Sequence, residues 1–307
     1  MIIVFGSLNV DLGFSLARLP VPGETILTPT YVPGPGGKGL NQAVAAARAG
    51  AAVAMHGCLG DDGFAAMLRR TMRDDGIDGA GVLVGRLPTA CAAIMVDAEG
   101  RNQIVVGSGA NGEARQEGVP DAALAPGTTL VLQLEVPVAD SAALARRARD
   151  RGARVVLNAA PAAALPPGML DAVDILVVNE IEAGMVAAGA GLAGEGDPIA
   201  AGRSLAAGFA GTVVVTLGAA GAVALGAGGG WRAAALPIRP VDTVGAGDAF
   251  VGALAARLDA GDDLPAALRW ASAAGGLACT KAGAAAALPH RAAILAALDA
   301  VPPPERM

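Results

Sequence analysis

The sequence predicts an α/β protein whose central, mostly parallel sheet carries helices on both faces, three layers in all. Three observations carry this. From Thr129 onward, short apolar runs alternate with segments of helical periodicity. Those apolar runs are continuous and end at glycine or a polar residue, as strands buried on both faces do. Finally, 307 residues that are 53% hydrophobic and 16% charged can bury a large core, in one large domain or two smaller ones.

The elements follow in order. Ile2–Phe5 is a buried strand ending at Gly6. Leu12–Leu19 and Thr25–Val32 read as short strands around Pro20, Pro22 and Gly23, a small β excursion off the main sheet. A glycine-dense stretch, Gly34-Pro35-Gly36-Gly37-Lys38-Gly39, opens an alanine-rich helix to Ala49. Val53–Cys58 is a strand, and Asp61–Asp74 a helix capped near Asp61 or Asp62. Cys91–Val96 and Asn102–Val106 form a second β excursion around the turn Asp97-Ala98-Glu99-Gly100. Then come strand Leu130–Gln133, helix Val138–Arg151, strand Arg154–Leu157, strand Ile175–Val178 and helix Glu180–Ala187. Phe209 to Trp231 carries no charge, but its glycines divide it into two buried strands, Thr212–Thr216 and Ala222–Leu225, rather than a membrane span. A glycine turn with its helix and two terminal helices complete the chain.

That turn, Asp242-Thr243-Val244-Gly245-Ala246-Gly247-Asp248-Ala249-Phe250, is the stretch richest in chemistry. Phe250, Val251, Leu254, Ala255 and Leu258 share one helical face just after it. The first N–H groups of a helix lack internal partners and the dipole favours negative charge, so the turn is an anion site, phosphate being the usual anion. Asp248 lies in the same first turn. It is either a dipole-complementing acid or the group that takes the proton of an attacking hydroxyl. Asn9 and Asp11 lie two apart on an extended segment and share a side, an amide and a carboxylate suited to polyol hydroxyls, or an Asx turn. Lys38 starts a helix where the dipole disfavours a cation, so a bound polar or anionic substrate would offset it. Asn9, Asp11, Glu135, Asn158, Asn179, Glu182 and Thr216-Leu217-Gly218 all follow strands, where ligands bind in parallel sheets.

Composition excludes several classes. A net charge of -6 gives no footprint for nucleic acid or an anionic membrane. Cys58, Cys91 and Cys279 make no metal or redox spacing, and His56 and His290 form no ligand pair, which fits a reducing cytosol. Met1–Gly6 has no secretory n-region, so a cytoplasmic location is expected. A G-x-G-x-x-G pattern occurs at Gly34/Gly36/Gly39, Gly107/Gly109/Gly112 and Gly189/Gly191/Gly194. With 44 glycines in the chain, it is a weak pointer to a dinucleotide oxidoreductase.

With these stretches placed, the chain resembles the ribokinase branch of the PfkB carbohydrate-kinase family from Ile3 to about Pro289. Gly36-Gly37-Lys38-Gly39 with Asn41-Gln42-Ala43, Asn179-Glu180-Ile181-Glu182, and Asp242 through Asp248 carry the resemblance, with Gly6-Ser7-Leu8-Asn9-Val10-Asp11 and Gln133-Leu134-Glu135. It implies one ribokinase-like domain over 1–307 with a β lid from about 12–33 and 88–108, which in related enzymes also clasps a homodimer. It implies an ATP-dependent kinase for the 5-hydroxyl of D-ribose, or for another pentose, a ketohexose, a keto-deoxy sugar acid or a nucleoside. A non-catalytic sugar- or nucleotide-binding protein on the same fold is the alternative from another class. The resemblance places Asn9, Val10, Asp11, Gly37, Lys38, Gly39, Leu40, Asn41 and Glu135 on the sugar, Asp248 as base, and the Gly245, Ala246 and Gly247 amides as anion hole. Asn179, Thr216, Leu217, Gly218, Ala219, Ala220, Gly221, Gly247 and Ser272 would meet the nucleotide, and Glu182 would act on Mg2+ through water. A potassium site would use Asp242, Val244, Ala278, Lys281, Gly283 and Ala287.

Overall fold

The computed structural model describes residues 1–192 and 196–307; Gly194 of the third glycine pattern lies outside them. The chain runs β1 (Ile2–Phe5), β2 (Asn9–Ser15), β3 (Val32–Gly36), α1 (Lys38–Arg48), β4 (Val53–Leu59), α2 (Gly63–Asp74), β5 (Asp78–Val84), β6 (Ala90–Val96) and β7 (Asn102–Gly107). It continues with β8 (Thr129–Leu132), α3 (Val138–Asp150), β9 (Arg154–Asn158), β10 (Ile175–Asn179), α4 (Glu180–Gly189) and α5 (Pro198–Ala207). Last come β11 (Thr212–Thr216), β12 (Ala222–Gly226), β13 (Gly229–Ala233), α6 (Ala246–Asp259), α7 (Leu264–Ala278), α8 (Arg291–Ala297) and β14 (Glu305–Arg306).

The main sheet has ten strands in the order β14-β13-β12-β11-β10-β9-β8-β1-β4-β5. From β11 to β5 every pairing is parallel, and β12, β13 and β14 add an antiparallel edge. Successive strand residues point to opposite faces, and the two cores divide accordingly. Ile2, Val4, Val131, Val156, Val177 and Val214 pack against α1, α2, α6, α7 and α8. Ile3, Phe5, Leu130, Leu132, Leu157, Val178 and Val215 pack against α3, α4 and α5. This is the three-layer arrangement the sequence predicts.

A second sheet of four strands, β3-β2-β6-β7, stands apart from the first. Its strands differ from expectation. The first starts at Asn9, because β2 pairs with β6 from Asn9↔Ala90 onward. The second is Val32–Gly36 instead of Thr25–Val32; it holds Pro33 and Pro35, which lack the N–H of a central strand but are tolerated on the edge that β3 occupies. The β5 strand had no legible signal, being largely exposed and glycine-containing at the sheet's edge. Helix α5 had one, since Asp197 caps it and Pro198 opens it. No described helix is long and apolar enough to cross a membrane.

Candidate active site

All the parallel strands end on one side. Strand order reverses between β1 and β8: the chain first adds strands outward through β4 and β5, then returns to the other side of β1. A crevice opens outside the strand ends at such a reversal. Here Ser7 after β1 donates from Oγ to Glu135 Oε2 after β8, at 2.6 Å. The N-terminus of α1 docks on the same point. Lys38 N–H donates to Glu135 Oε2 at 3.0 Å, Gly39 N–H to Ser7 Oγ at 3.1 Å, and Leu40 N–H to the Ser7 carbonyl at 2.9 Å. Gly37 begins this helix at φ +88°, and a Cβ there would lie 2.8 Å from Asn9 N, so only glycine fits.

Helix α6 brings Asp248. Gly252 meets α1 so closely that a Cβ would come within 2.5 Å of Ala45 Cβ, and this contact sets the two helices side by side. Asp248, 6% exposed, then accepts from Asn41 Nδ2 at its Oδ2 and from Gln42 Nε2 at its Oδ1, both at 2.9 Å. Burial raises the carboxyl above its ordinary range, while Lys38 and the two amides oppose that rise. Gly245 starts α6 in the left-handed region at φ +78°. The Ala246 N–H is taken by the Thr243 carbonyl at 3.3 Å. Among the described residues those of Gly245, Gly247 and Asp248 have no partner, which leaves them free to donate to an anion. Beside Gly247 a Cβ would meet nothing within 4 Å.

Three carboxylates converge on Lys38. Burial pulls its ammonium down, but Asp248, Glu135 and Glu182 hold it above the ordinary lysine value. The cation at the helix start is therefore offset by the protein's own acids. Asp11 is pushed up to about 6, by burial first and then by Glu135 and Asp248. Asn9, 4% exposed, is positioned by Asn111, which takes the Leu8 N–H at 3.0 Å and donates to Asn9 Oδ1 at 2.7 Å. Val10 and Leu40 have their side chains in the core and present only backbone here.

On the other side of Gly247 lies a cavity of about 490 Å³. Thr216, Gly218, Ala219, Gly221, Gly247 and Ser272 line it as expected. Leu236, Ile238, Phe250 and Cys279 line it too and were not anticipated. Leu217 is buried and, like Ala220, does not line it. Asn179 and Glu182 form a capping box at the start of α4: Glu182 N–H donates to Asn179 Oδ1 at 2.8 Å and Asn179 N–H to Glu182 Oε2 at 2.9 Å. Asp242 joins two loops, accepting from Val244 N–H at 3.0 Å and Gly283 N–H at 2.9 Å. Ala278 and Ala287 are buried close by in sequence, and Lys281 is exposed.

The sequence profile of the pfkB family carbohydrate kinase matches residues 1–291. The chain belongs to this family. It is thus a sugar kinase of the pfkB family, and it is similar to several ribokinases. It is 34% identical over 299 residues to the ribokinase of Haemophilus influenzae, across 96% of this chain and 97% of that one. A Thermotoga maritima ribokinase structure matches with a TM-score of 0.89 at 30% identity, covering 97% of this chain and 99% of that one. Arabidopsis thaliana ribokinase complexed with ribose and ATP matches at 0.86 and 29%, covering 97% and 98%.

The pfkB site holds residues that sequence reasoning passed over. Ser7, Gln42 and Gln133 stood inside quoted motifs without a role, and Asn158 stood only as one more polar residue after a strand. Asn111 had no signal: it lies in a short 3-10 turn far from Asn9 in sequence.

Proposed function

We propose that this pfkB kinase transfers the γ-phosphoryl group of ATP to the 5-hydroxyl of D-ribose, giving D-ribose 5-phosphate and ADP. One observation carries the reading: the buried Asp248 carboxylate stands at the amide-rich start of α6, between the Asp11–Lys38–Glu135 cluster and the 490 Å³ cavity. Asn9, Asp11, Gly37, Lys38, Gly39, Asn41 and Glu135 bind the sugar, with Val10 and Leu40 contributing through backbone. Asp248 takes the hydroxyl proton as its oxygen bonds to the γ-phosphorus, the bond from that phosphorus to the β,γ-bridging oxygen breaks, and ADP leaves. The free amides of Gly245, Gly247 and Asp248 stabilise the equatorial oxygens in flight. Thr216, Gly218, Ala219, Gly221 and Ser272 flank the nucleotide, Leu217 and Ala220 belong to the same segment, and Asn179 acts near the phosphates.

The residues present fit a Mg2+ that arrives with the nucleotide. Among the described residues no cluster of acids, imidazoles and thiols could hold a metal by itself. Glu182 has one oxygen engaged by Asn179 and keeps the other for a metal-bound water, and Mg2+ commonly takes one carboxylate plus phosphates. When bound it would neutralise phosphate charge. For a potassium ion, Asp242 and the backbone carbonyls of Val244, Ala278, Lys281, Gly283 and Ala287 would supply the oxygens, Asp242 already accepting from the Val244 and Gly283 amides.

In the same reading residues 1–307 act as one cytoplasmic domain, and the four-stranded sheet is a lid over the sugar. Its edge strand β7 exposes Ile104, Val105 and Val106 at 51%, 65% and 51%, an apolar surface for a second copy in a homodimer. ADP release over a panel of pentoses, ketohexoses, keto-deoxy sugar acids and nucleosides tests the acceptor. D-ribose should give the highest kcat/KM, and a higher value for a nucleoside would overturn the assignment. Asp248→Asn should lower kcat by about 100-fold or more with both substrates still bound.

A further inference from the structure

Behind the carboxylate lies a chain of buried amides to which the proposed reaction assigns no substrate. Gln42 and Gln133 are 0% exposed and Asn158 is 7% exposed. One N–H of Gln42 Nε2 goes to Asp248 Oδ1 and the other to Asn158 Oδ1, both at 2.9 Å. Gln42 Oε1 accepts from Gln133 Nε2 at 2.8 Å. Asn158 in turn donates from Nδ2 to the Val177 carbonyl of β10 at 3.2 Å.

An amide has a donor end and an acceptor end, whereas an ionised carboxylate only accepts. The main-chain carbonyl of Val177 cannot turn over, so it fixes which end of Asn158 faces Gln42. Gln42 must then present its NH2 to Asn158 and Asp248 together. Reversing Gln42 would press its oxygen against two acceptors and its NH2 against the Gln133 donor. The sense of the whole chain is thus set from the sheet, and it ends by donating to the base.

We propose that Gln42 is a positioning residue for Asp248, oriented by Gln133 and Asn158, which holds the carboxylate ionised and correctly turned inside a buried site. This rests on Asp248 being the base. The charged groups facing Asp248 are Lys38 of α1, Glu135 after β8, Asp11 of β2 and Glu182 of α4. Three of these four are acids, and burial also opposes ionisation, which leaves the amide donors and Lys38 to favour it.

The test compares wild type with Gln42→Met, Gln133→Met and Asp248→Asn in an ADP-release assay with D-ribose, Mg2+ and K+ across pH. Without the Gln42 donor the base holds its proton to higher pH, so the acid limb of kcat moves upward. Gln42→Met should also lower kcat at neutral pH by about ten- to a hundredfold, the worth of a hydrogen bond to a charged group, with both KM values within about twofold. Gln133→Met, which leaves α1 and α6 untouched, should move the limb the same way by less; it decides the matter if Gln42→Met does not fold. An unmoved acid limb in the folded variants, with Asp248→Asn inactive, overturns the proposal and leaves the base assignment standing. Near-normal turnover by Asp248→Asn removes the base, and the proposal falls with it.

Discussion

Asp11→Asn should make the sugar-free protein more stable while weakening its hold on sugar. The Asp11 carboxyl is moved from an ordinary 3.8 to about 6 by burial and by its acidic neighbours Glu135 and Asp248. Its folded value lies above its unfolded one, so the folded state binds the proton more tightly. Stability from this group is full below about 4 and is lost as pH rises through 6. At 1.36 kcal/mol per tenfold, the wild type forgoes at most about 3 kcal/mol at pH 8 and about half of that at pH 5. Asparagine has the same shape without the charge and escapes this penalty. Denaturant melts of both proteins at pH 5 and pH 8, without ligand, should show Asp11→Asn ahead at both and further ahead at pH 8. The KM for sugar should rise by about ten- to a hundredfold, since hydroxyls lose a charged acceptor. A variant no more stable than wild type at pH 8, or ahead by the same margin at both pH values, would refute the reasoning.

Lys38→Met leaves Asp248, Glu135 and Glu182 without their shared cation, so its stability loss should be greater at pH 8 than at pH 5 in thermal melts, with turnover greatly reduced. Gly252→Ala places a methyl into the α1–α6 contact and should cost about 1–3 kcal/mol in chemical denaturation, lowering kcat more than either KM as Asp248 is displaced. Asp242→Ala frees the Val244 and Gly283 amides that it joins; a potassium titration of activity should show weaker activation while D-ribose KM stays near wild type.

The sheet was legible where physics acts locally. Continuous apolar runs mark strands covered on both faces, and β8 to β11 appear close to their expected bounds for that reason. The strand β13 was missed because Gly229 and Gly230 give it no pattern, its place being fixed by pairing with β12. For the site, a residue after a strand can be named as polar, but its partner lies on a distant element. Gln42 and Asp248 are far apart in sequence and meet only because Gly252 lets two helices touch. The N-x-x-E stretch shows the reverse limit: its local spacing is by itself enough to build a helix cap.

Strand β1 precedes every other strand in the chain, yet its neighbours are β4 on one side and β8 on the other. During synthesis one flank of it therefore waits, unpaired, until Leu132 has left the ribosome. Asp248 emerges later still, and its helix can dock only on an α1 that has been held in readiness. Production in this order leaves the cavity beside Gly247 without part of its wall until Ser272 and Cys279 have followed.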